Sequence, residues 1–434
     1  MISFVQNSNL ITYMIQGRIS MKKRIFKIAL VFLCCISLSA CGKEKEETII
    51  TSGSESEEDI ESTEETERSQ IEKGFDLPVS SEEKEQAEKD CRKQMELVAD
   101  LYKNADKGDS SNVVISDEVL AKMQDRVAEE GNSVSVSDKY SNMKNYKNFE
   151  DFLTTSMSGE SSEAVIYNIH SDGAVVRSKF IFDGIDMYVL TTGTTWNHSG
   201  EAGALYCTYT RLKKWRYTEQ GWFCYELCVP EYPEVTEAVN GCCLIRVKPI
   251  SEKNKELSRK YVQGLGYQGN NLLCSSWNVD DMEKLDYNGM YEYLYAMKYQ
   301  KRFDAEKYQD GIPREKFESL IKEYIPVTSE QLQEYAVFDS VSQMYAWTRL
   351  GCGNYAPTLF GTSLPEVTEI EENADGTITM TVHAVCGMLS DDSVMVHKVT
   401  VRVNDNGNFQ YLGNEILDNG LSKIPEYQYR FGKK

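Results

Sequence analysis

The 434-residue chain has 68 acidic and 47 basic residues, which gives a formal net charge of −21 at pH 7. Such an excess of acid excludes the basic face that nucleic-acid binding requires, and it disfavours direct docking on anionic lipid. The charge is expected mainly to maintain solubility. At 41 % hydrophobic residues the chain can still bury a sizeable core.

The first hydrophobic segment indicates export. Residues 21–24 (MKKR) form a compact positive block, and residues 25–36 are apolar apart from Lys27. This run fits the core of a signal peptide and is shorter than the roughly 20 residues of a spanning helix. We therefore predict a signal peptide over residues 21–40. Because Met21 begins a complete signal, residues 1–20 are expected to be a wrongly assigned extension.

The signal ends in residues 38–42 (LSACG), with small residues before Cys41. This segment resembles the lipobox of bacterial lipoproteins. The resemblance implies cleavage between Ala40 and Cys41 and attachment of a diacylglyceryl group to the Cys41 thiol. Two or three acyl chains hold a protein firmly to a membrane. We therefore expect a protein anchored on the extracytoplasmic face of the cell membrane; the alternative is a chance cysteine after an ordinary signal peptide.

An acidic tether is predicted to follow the anchor over residues 41–74. Between Lys43 and Arg68 there are eleven acids and three bases, and no aromatic residue occurs from Gly42 to Gly74. Such a segment cannot bury enough apolar surface to offset its ordering entropy, so it is expected to be disordered. Loss of residues 1–40 removes five bases and no acids, which changes the net charge from −21 to −26.

The first module, residues 75–250, is predicted to place helices before an antiparallel meander. Ser80 and Glu83 form a capping box, Ser116 caps a second helix, and a third, ending near Met157, carries an apolar side. From residue 164 the hydrophobic period changes to two, which predicts strands. They cover residues 164–170, 174–182, 185–192, 205–217 and 222–228, with Asp-Gly turns at 172–173 and 183–184.

The same order repeats in the second module, residues 251–434. Helices are predicted over residues 251–262, 281–299, 314–324 and 330–335, the last capped by Thr328 with Gln331. Strands are predicted over residues 367–371, 377–385, 393–403 and 409–416. The predicted fold class is therefore α+β, with two tandem modules after the tether.

Two resemblances bear on the fold and the compartment. The order of helices and then a curved sheet is similar to NTF2-like and cystatin-like folds, a likeness of element order that carries no function. The second half, from residues 265–271 (LGYQGNN) to residues 411–415 (YLGNE), resembles an uncharacterised lipoprotein family of clostridial bacteria. That resemblance implies the compartment and no particular chemistry.

Nine cysteines remain after the signal and the lipidated residue are set aside. An odd number outside the membrane implies at least one free thiol or an intermolecular bond. Their dispersion does not match a disulfide scaffold, and they lack the C-x2-C spacing of a zinc knuckle. We expect buried or paired cysteines and no metal or other cofactor. The nine are Cys91, Cys207, Cys224, Cys228, Cys242, Cys243, Cys274, Cys352 and Cys386.

Several motifs match catalytic patterns without the required context. Residues 264–269 (GLGYQG) spell G-x-G-x-x-G, yet a charged helix precedes them instead of a strand. Two S-x-x-K matches, at Ser81 and Ser141, lack the accompanying K-T-G. Strand alternation puts His383 on the solvent face and His397 on the buried face, which separates them across the sheet. No catalytic residue is therefore assigned.

Two Gly-bearing loops carry aromatic and amide side chains that would suit a glycan or a peptide. The alternative is that these side chains plug the junction between modules and satisfy its backbone. The candidate ligand-binding residues are Asn270, Asn271, Trp277, Trp347, Asn354, Tyr355 and Phe360.

The sequence favours a binding or interaction module at the cell surface, with the membrane as partner through the lipid and envelope glycans or peptides as ligands. One alternative is an envelope enzyme that uses carboxylates in an NTF2-like pocket. The other is a structural assembly subunit. Buried, convergent acids would favour the enzyme, and a large exposed apolar patch would favour assembly.

Overall fold

The computed structural model describes residues 71–107, 113–138, 140–197, 200–351 and 353–431, with the side chains of residues 204 and 205 left aside. Within these ranges the predicted α+β class is confirmed, with mainly antiparallel sheets. The predicted signal peptide, Cys41 and most of the acidic tether lie outside the described residues. None of the described helices is both long and apolar enough to cross a membrane.

Most helices begin and end close to the predicted positions. Ser80 and Ser116 cap the first two, accepting hydrogen bonds from Glu83 N and Val119 N. A π-helical turn, Ser258–Val262, continues the fourth helix. The α-helices are α1 Ser81–Asn104, α2 Asp117–Ala128, α3 Tyr146–Met157, α4 Glu252–Leu257, α5 Tyr287–Tyr299, α6 Arg314–Tyr324 and α7 Ser329–Tyr335.

The strands include every one that was predicted and several that were not. The unpredicted ones are Ser133–Val136, Cys242–Arg246 and four two-residue strands. The strands are β1 Ser133–Val136, β2 Ser162–Ile169, β3 Val175–Phe182, β4 Met187–Trp196, β5 Ala202–Tyr217, β6 Trp222–Leu227, β7 Cys242–Arg246, β8 Trp277–Asn278, β9 Ile312–Pro313, β10 Phe338–Asp339, β11 Met344–Tyr345, β12 Leu364–Glu372, β13 Thr377–Cys386, β14 Asp391–Val403 and β15 Phe409–Ile416.

The chain divides into two compact units that interleave in sequence. Of the described residues, unit 1 contains those from 71 up to Asp138, Lys147–Lys213 and Leu227–Gly241. Unit 2 consists of Lys139–Tyr146, Lys214–Glu226 and Cys242–Lys434. The predicted boundary between modules at residue 250 stays a prediction.

Unit 1 packs helices on both faces of its strands. Val175 lies in a core cluster with side chains of α1 and α2, whereas Phe180 meets Phe149 of α3 with ring centres 5.3 Å apart. Residues 175 and 180 of one strand point to opposite faces. The predicted antiparallel order holds from β2 to β5, but β1 pairs parallel to β2. Helix α3 ends at Met157, close to the predicted position, and this residue is 60 % exposed.

Unit 2 contains a five-stranded antiparallel sheet in the order β12-β13-β14-β15-β8 and a small sheet in the order β10-β11-β9. Helix α7 has the predicted capping box of Thr328 and Gln331. Helix α5 begins later than predicted, at Tyr287 instead of Asp281. Asp286 caps it by accepting from Gly289 N, while its own N–H donates to Asn271 Oδ1. These bonds fix the helix start from outside the helix.

Candidate functional site

The predicted binding residues Asn270 and Asn271 are buried in unit 2. The Asn270 side chain donates to Leu265 O at 2.9 Å and accepts from Leu272 N. The Asn271 side chain donates to Lys284 O and accepts from Asp286 N, both at 2.8 Å. Buried backbone groups without partners are costly, so these amides stabilise the segment between residues 265 and 286.

The aromatic residues Trp277 and Phe360 are also buried. The Trp277 indole donates to Leu272 O at 2.9 Å, and the Phe360 ring lies 5.1 Å from that of Tyr267. Both side chains belong to the main hydrophobic core of unit 2. Their packing agrees with the open alternative of a structural role, and binding by these residues stays a prediction.

Asn354 and Tyr355 lie in a loop whose surface is accessible. Asn354 is exposed and braces its own loop, accepting from Gly351 N and donating to Arg349 O, each at 2.9 Å. Tyr355 is half-buried, and burial raises the pKa of its phenol. The residue after Tyr355, Ala356, is held by the Gln428 side chain, which donates to its carbonyl at 2.9 Å and accepts from its N–H at 3.0 Å.

Trp347 lies beside an arginine near the carboxyl end of the chain that sequence reasoning did not single out. The Arg430 guanidinium carbon is 5.6 Å from the Trp347 ring centre. Arg430 donates to Glu292 at 2.6 Å and to Thr348 O at 3.1 Å. The buried Trp347 Nε1 has no hydrogen-bond partner among the described residues.

A second set of polar side chains in unit 2 was not predicted from the sequence. We call it the Glu366 cluster, and it consists of Gln220, Trp222, Arg246, Glu366, His383 and Asp392. Glu366 of β12 stands directly opposite His383 of β13, and His383 stands opposite Val396 of β14. Asp392 of β14 lies beyond an irregularity in this register, and its charge acts on both Glu366 and His383. Three strands thus bring Glu366, His383 and Asp392 close together.

An ion pair between Arg246 and Glu366 holds the cluster together. The two side chains are 11 % and 3 % exposed, so solvent screens them little. Arg246 also donates to Gln220 O at 3.1 Å, and its guanidinium lies 4.1 Å from the Trp222 ring centre. Burial raises the pKa of Glu366, while Arg246 opposes that rise.

His383 and Asp392 are less completely paired. Gln220 Nε2 lies 3.2 Å from His383 Nδ1, and burial lowers the pKa of the imidazole against the opposing charge of Asp392. Asp392 is 4 % exposed, and its Oδ1 accepts from Arg216 at 3.4 Å. Its Oδ2 has no hydrogen-bond partner in the described part of the chain. A buried carboxylate oxygen left open can accept a proton or a ligand donor.

Two other buried acids of unit 2, Glu318 and Asp286, each accept several hydrogen bonds from protein groups. Glu318 accepts from Arg314, Ser329, Gln333 and Tyr345 at 2.6–3.2 Å. Asp286 likewise accepts several bonds, including one from Tyr427 at 2.7 Å. Acids held in this way act as structural anchors and not as proton donors or acceptors for a substrate.

Only weak sequence signals point to the Glu366 cluster. Arg246 ends an otherwise apolar strand, and Glu366 immediately precedes the predicted strand at residue 367. His383 was predicted on the solvent face, and it is half-buried there. The predicted separation of the histidines is confirmed, because His397 lies on the core face. What could not be foreseen is the packing of β6 and β7 in unit 2, which supplies Trp222 and Arg246.

Metal binding and disulfide formation depend on how the His, Cys, Asp and Glu side chains are grouped. Across the described ranges, no group of three or more His, Cys, Asp or Glu side chains could hold a metal ion. Within those ranges Cys91, Cys207, Cys224, Cys228, Cys274 and Cys386 are free thiols, whereas Cys352 lies outside them.

Comparison with known proteins identifies a family without an assigned activity. Residues 84–430 match the family described as Family of unknown function (DUF6070). No curated protein matches the chain, and no solved structure matches it. The match covers most of both units.

Proposed function

The chain belongs to the DUF6070 family of unknown function, and from its own residues we propose that it is a lipid-anchored, extracytoplasmic lipoprotein whose folded units bind a ligand and do not catalyse a reaction. The proposed anchor is the diacylglyceryl group on Cys41, after cleavage at Ala40 in the lipobox-like segment 38–42. The acidic tether would then carry the folded units away from the membrane surface. The proposed ligands are envelope glycans or peptides.

The observation that carries the binding proposal is the braced loop segment of residues 353–359, which Asn354 ties to Gly351. Asn354 and Gln428 fix its backbone through paired hydrogen bonds, and Leu359 is 47 % exposed. A surface held in one conformation loses little entropy on binding. Aromatic and apolar side chains beside amides suit the faces and hydroxyl groups of a sugar or an extended peptide.

The anchor is tested by metabolic labelling and fractionation. Wild-type cells grown with radioactive palmitate are expected to yield a labelled product in the membrane fraction. Cys41→Ala is expected to lose the label, because no thiol remains to receive the lipid. A mature-sized Cys41→Ala product that stays in the membrane would contradict the proposal, as would tagged wild-type protein in the cytosol.

The binding role is tested with the full-length protein in vesicles. Wall fragments and envelope peptides are titrated against wild type, Tyr355→Ala and Leu359→Ser, with Leu421→Ser as the matched control on another exposed leucine of unit 2. Loss of a binding side chain is expected to weaken affinity by about tenfold, equivalent to about 1.4 kcal/mol. Equal affinity for all four proteins would remove the loop from the proposal.

An enzyme is the second candidate, favoured by the open Oδ2 of Asp392 beside Glu366 and His383. Two carboxylates with different environments can divide the roles of acid and base. The test is hydrolysis of wall fragments by wild type and Asp392→Asn. Turnover that disappears in the variant without loss of folding would favour the enzyme, and no turnover by wild type would dismiss it.

A further inference from the structure

Unit 2 carries a run of tyrosine rings along helix α5, in a different segment from the loop of residues 353–359. Tyr291, Tyr295 and Tyr299 recur every four residues, so they lie on one side of the helix. Tyr291 is buried, Tyr295 is half-buried, and Tyr299 is 47 % exposed. This side of α5 therefore passes from the core to the solvent along tyrosine rings.

Phe303 joins a fourth tyrosine to this run. Its buried ring lies 5.3 Å from that of Tyr295 and 5.1 Å from that of Tyr308, which stacks on it and is half-buried. The rings of Tyr295 and Tyr299 are 4.6 Å apart. Burial raises the pKa of Tyr291, and the phenols of Tyr308, Tyr299 and Tyr295 add to the rise. The four tyrosine side chains thus lie close together.

Two lysines lie over the outer rings. The Lys298 ammonium is 5.3 Å from the ring centre of Tyr299, and the Lys316 ammonium is 5.6 Å from that of Tyr308. A cation over the face of an aromatic ring is attracted by the electrons of the ring. Positive charge is therefore held beside the rings that solvent reaches.

A third lysine, Lys307, is near two of the same phenols. The Asp304 carboxylate, 2.9 Å from the Lys307 ammonium, raises the pKa of this lysine, and the phenols of Tyr295 and Tyr308 add to the rise. We call the whole set the tyrosine–lysine surface, and it consists of Tyr295, Tyr299, Tyr308, Lys298, Lys307 and Lys316.

The local charge is positive although the chain is acidic. Residues 298–316 contain six bases and four acids, a net charge of +2, against −21 for the whole chain. Lys298 and Lys307 pair with acids, whereas Lys316 is exposed and forms no ion pair within the described ranges. An anion repelled by most of the chain is therefore accepted most readily here.

The combination of rings and cations selects an acidic polysaccharide. A tyrosine ring covers the apolar face of a sugar while its hydroxyl bonds to a sugar hydroxyl. An ammonium group forms a charge-assisted hydrogen bond with a sugar carboxylate. A neutral glycan would leave the cations unused, and a purely acidic peptide would leave the ring faces unused.

We propose that unit 2 binds an acidic polysaccharide on the tyrosine–lysine surface. Sugar rings lie against Tyr299 and Tyr308, and a sugar carboxylate pairs with Lys316. The proposal does not depend on the binding role of the loop of residues 353–359.

The test is calorimetric titration of the full-length protein, in vesicles of neutral lipid, with a soluble oligogalacturonate. Its methyl ester keeps the sugar rings without the carboxylates, and polyglutamate keeps carboxylates without sugar rings. Wild type is expected to bind the oligogalacturonate at least about tenfold more tightly than either comparison ligand. The affinity is expected to fall as salt is added, because exposed charges are screened.

Two variants remove one component of the surface each. Tyr299→Ala and Lys316→Gln are expected to weaken binding of the oligogalacturonate by about tenfold each. Tyr299→Phe keeps the ring and is expected to retain most of the affinity. Both positions are exposed, so the fold should tolerate these changes, which thermal unfolding checks.

Matched controls replace the same residue types elsewhere. Tyr232→Ala changes a tyrosine of unit 1 that is 87 % exposed, and Lys253→Gln changes an exposed lysine of helix α4. Both are expected to retain the wild-type affinity. Leu359→Ser should retain it as well, which separates this surface from the loop.

Three results would overturn the proposal. The first is a wild type that does not bind the oligogalacturonate, and the second is equal affinity for polyglutamate or for the methyl ester. The third is a loss of affinity in Tyr232→Ala and Lys253→Gln as large as that in Tyr299→Ala and Lys316→Gln.

Discussion

The buried ion pair of the Glu366 cluster gives the sharpest prediction for unit 2. Removing one partner of such a pair leaves the other charge buried and costs about 3–5 kcal/mol of unfolding free energy. Solvent screening does not reduce this free energy much, because the side chains of Arg246 and Glu366 are only 11 % and 3 % exposed. Replacement of both by apolar residues of similar volume, in Arg246→Met with Glu366→Leu, is expected to be near neutral. The double variant should therefore be more stable than either single variant.

The two single variants should differ in their dependence on pH. In Arg246→Met the unpaired Glu366 can become neutral by taking up a proton, and burial already raises its pKa. A group whose pKa is raised on folding contributes stability below its unfolded pKa and loses it as pH rises through the folded pKa. The Arg246→Met penalty should thus shrink as pH falls toward the unfolded pKa of 4.5. Glu366→Leu leaves a guanidinium that cannot deprotonate, so its penalty should not follow pH in this way.

Urea unfolding followed by circular dichroism and tryptophan fluorescence measures these differences from pH 4 to 8. The cycle of two single variants and one double variant isolates the coupling between the residues. Additive penalties, with the double variant the least stable, would refute the ion pair as a coupled buried unit. An Arg246→Met penalty that grows as pH falls would refute the protonation argument.

Three further predictions concern buried groups. Asn271→Ala should lower the unfolding free energy by about 2–4 kcal/mol, because two backbone groups lose their hydrogen-bond partners. Asn354→Ala, in an exposed loop, should lower it by less than about 1 kcal/mol. Equal losses for the two variants in urea unfolding would contradict this. Burial lowers the pKa of His397 to about 4, so its stabilising effect is present above the unfolded pKa of 6.5 and is lost as pH falls toward 4, by about 3 kcal/mol. The difference between wild type and His397→Gln should therefore change over that window, and a constant difference would count against it. Gly193→Ala should lower the unfolding free energy by about 1–3 kcal/mol, because the new methyl group meets the Tyr206 ring. Gly203→Ala, with open space around it, should lower it less. Both variants are measured by urea unfolding, and equal losses would contradict this prediction.

The neutral state of His397 follows from its hydrogen bonds. Asn414 donates from Nδ2 to Leu273 O and Ser275 O, so its Oδ1 faces His397 Nδ1 and accepts from it. His397 Nε2 then accepts from the Tyr267 hydroxyl at 2.8 Å. A doubly protonated ring could no longer accept at Nε2, so the Tyr267 hydroxyl would have to turn and accept instead, and burial penalises the charge of the ring. Alternation predicted that His397 is buried, but these partners come from a distant part of the chain.

Much of the fold was predictable because its signals are local. Ser80, Ser116 and Thr328 cap helices through groups three residues away, and Gly173 takes the positive φ that its hairpin turn requires. Helical and strand periods then gave the order of the main elements. The short strands β8 to β11 were missed because two residues show no period, and β1 because its pairing is parallel to a strand distant in sequence.

The candidate sites were less predictable for the same physical reason. The sequence placed Asn270 and Asn271 in a Gly-bearing loop but could not decide which backbone groups their amides would meet. Glu366, His383 and Asp392 lie on three strands, and only the pairing of those strands brings them close together. Residues without a local pattern reveal nothing of their partners until the chain has folded.

By itself, the sequence determined the α+β class, the capped helices and most strands, because hydrogen bonds within a few residues and the alternation of apolar side chains are written locally. It also carries the lipobox-like segment on which the proposed anchoring at Cys41 rests. Only the tertiary structure decided that Arg246 pairs with Glu366 and that, among the described residues, the buried Oδ2 of Asp392 has no hydrogen-bond partner. Such pairings join residues far apart in the chain, and their strength depends on burial that exists only after folding.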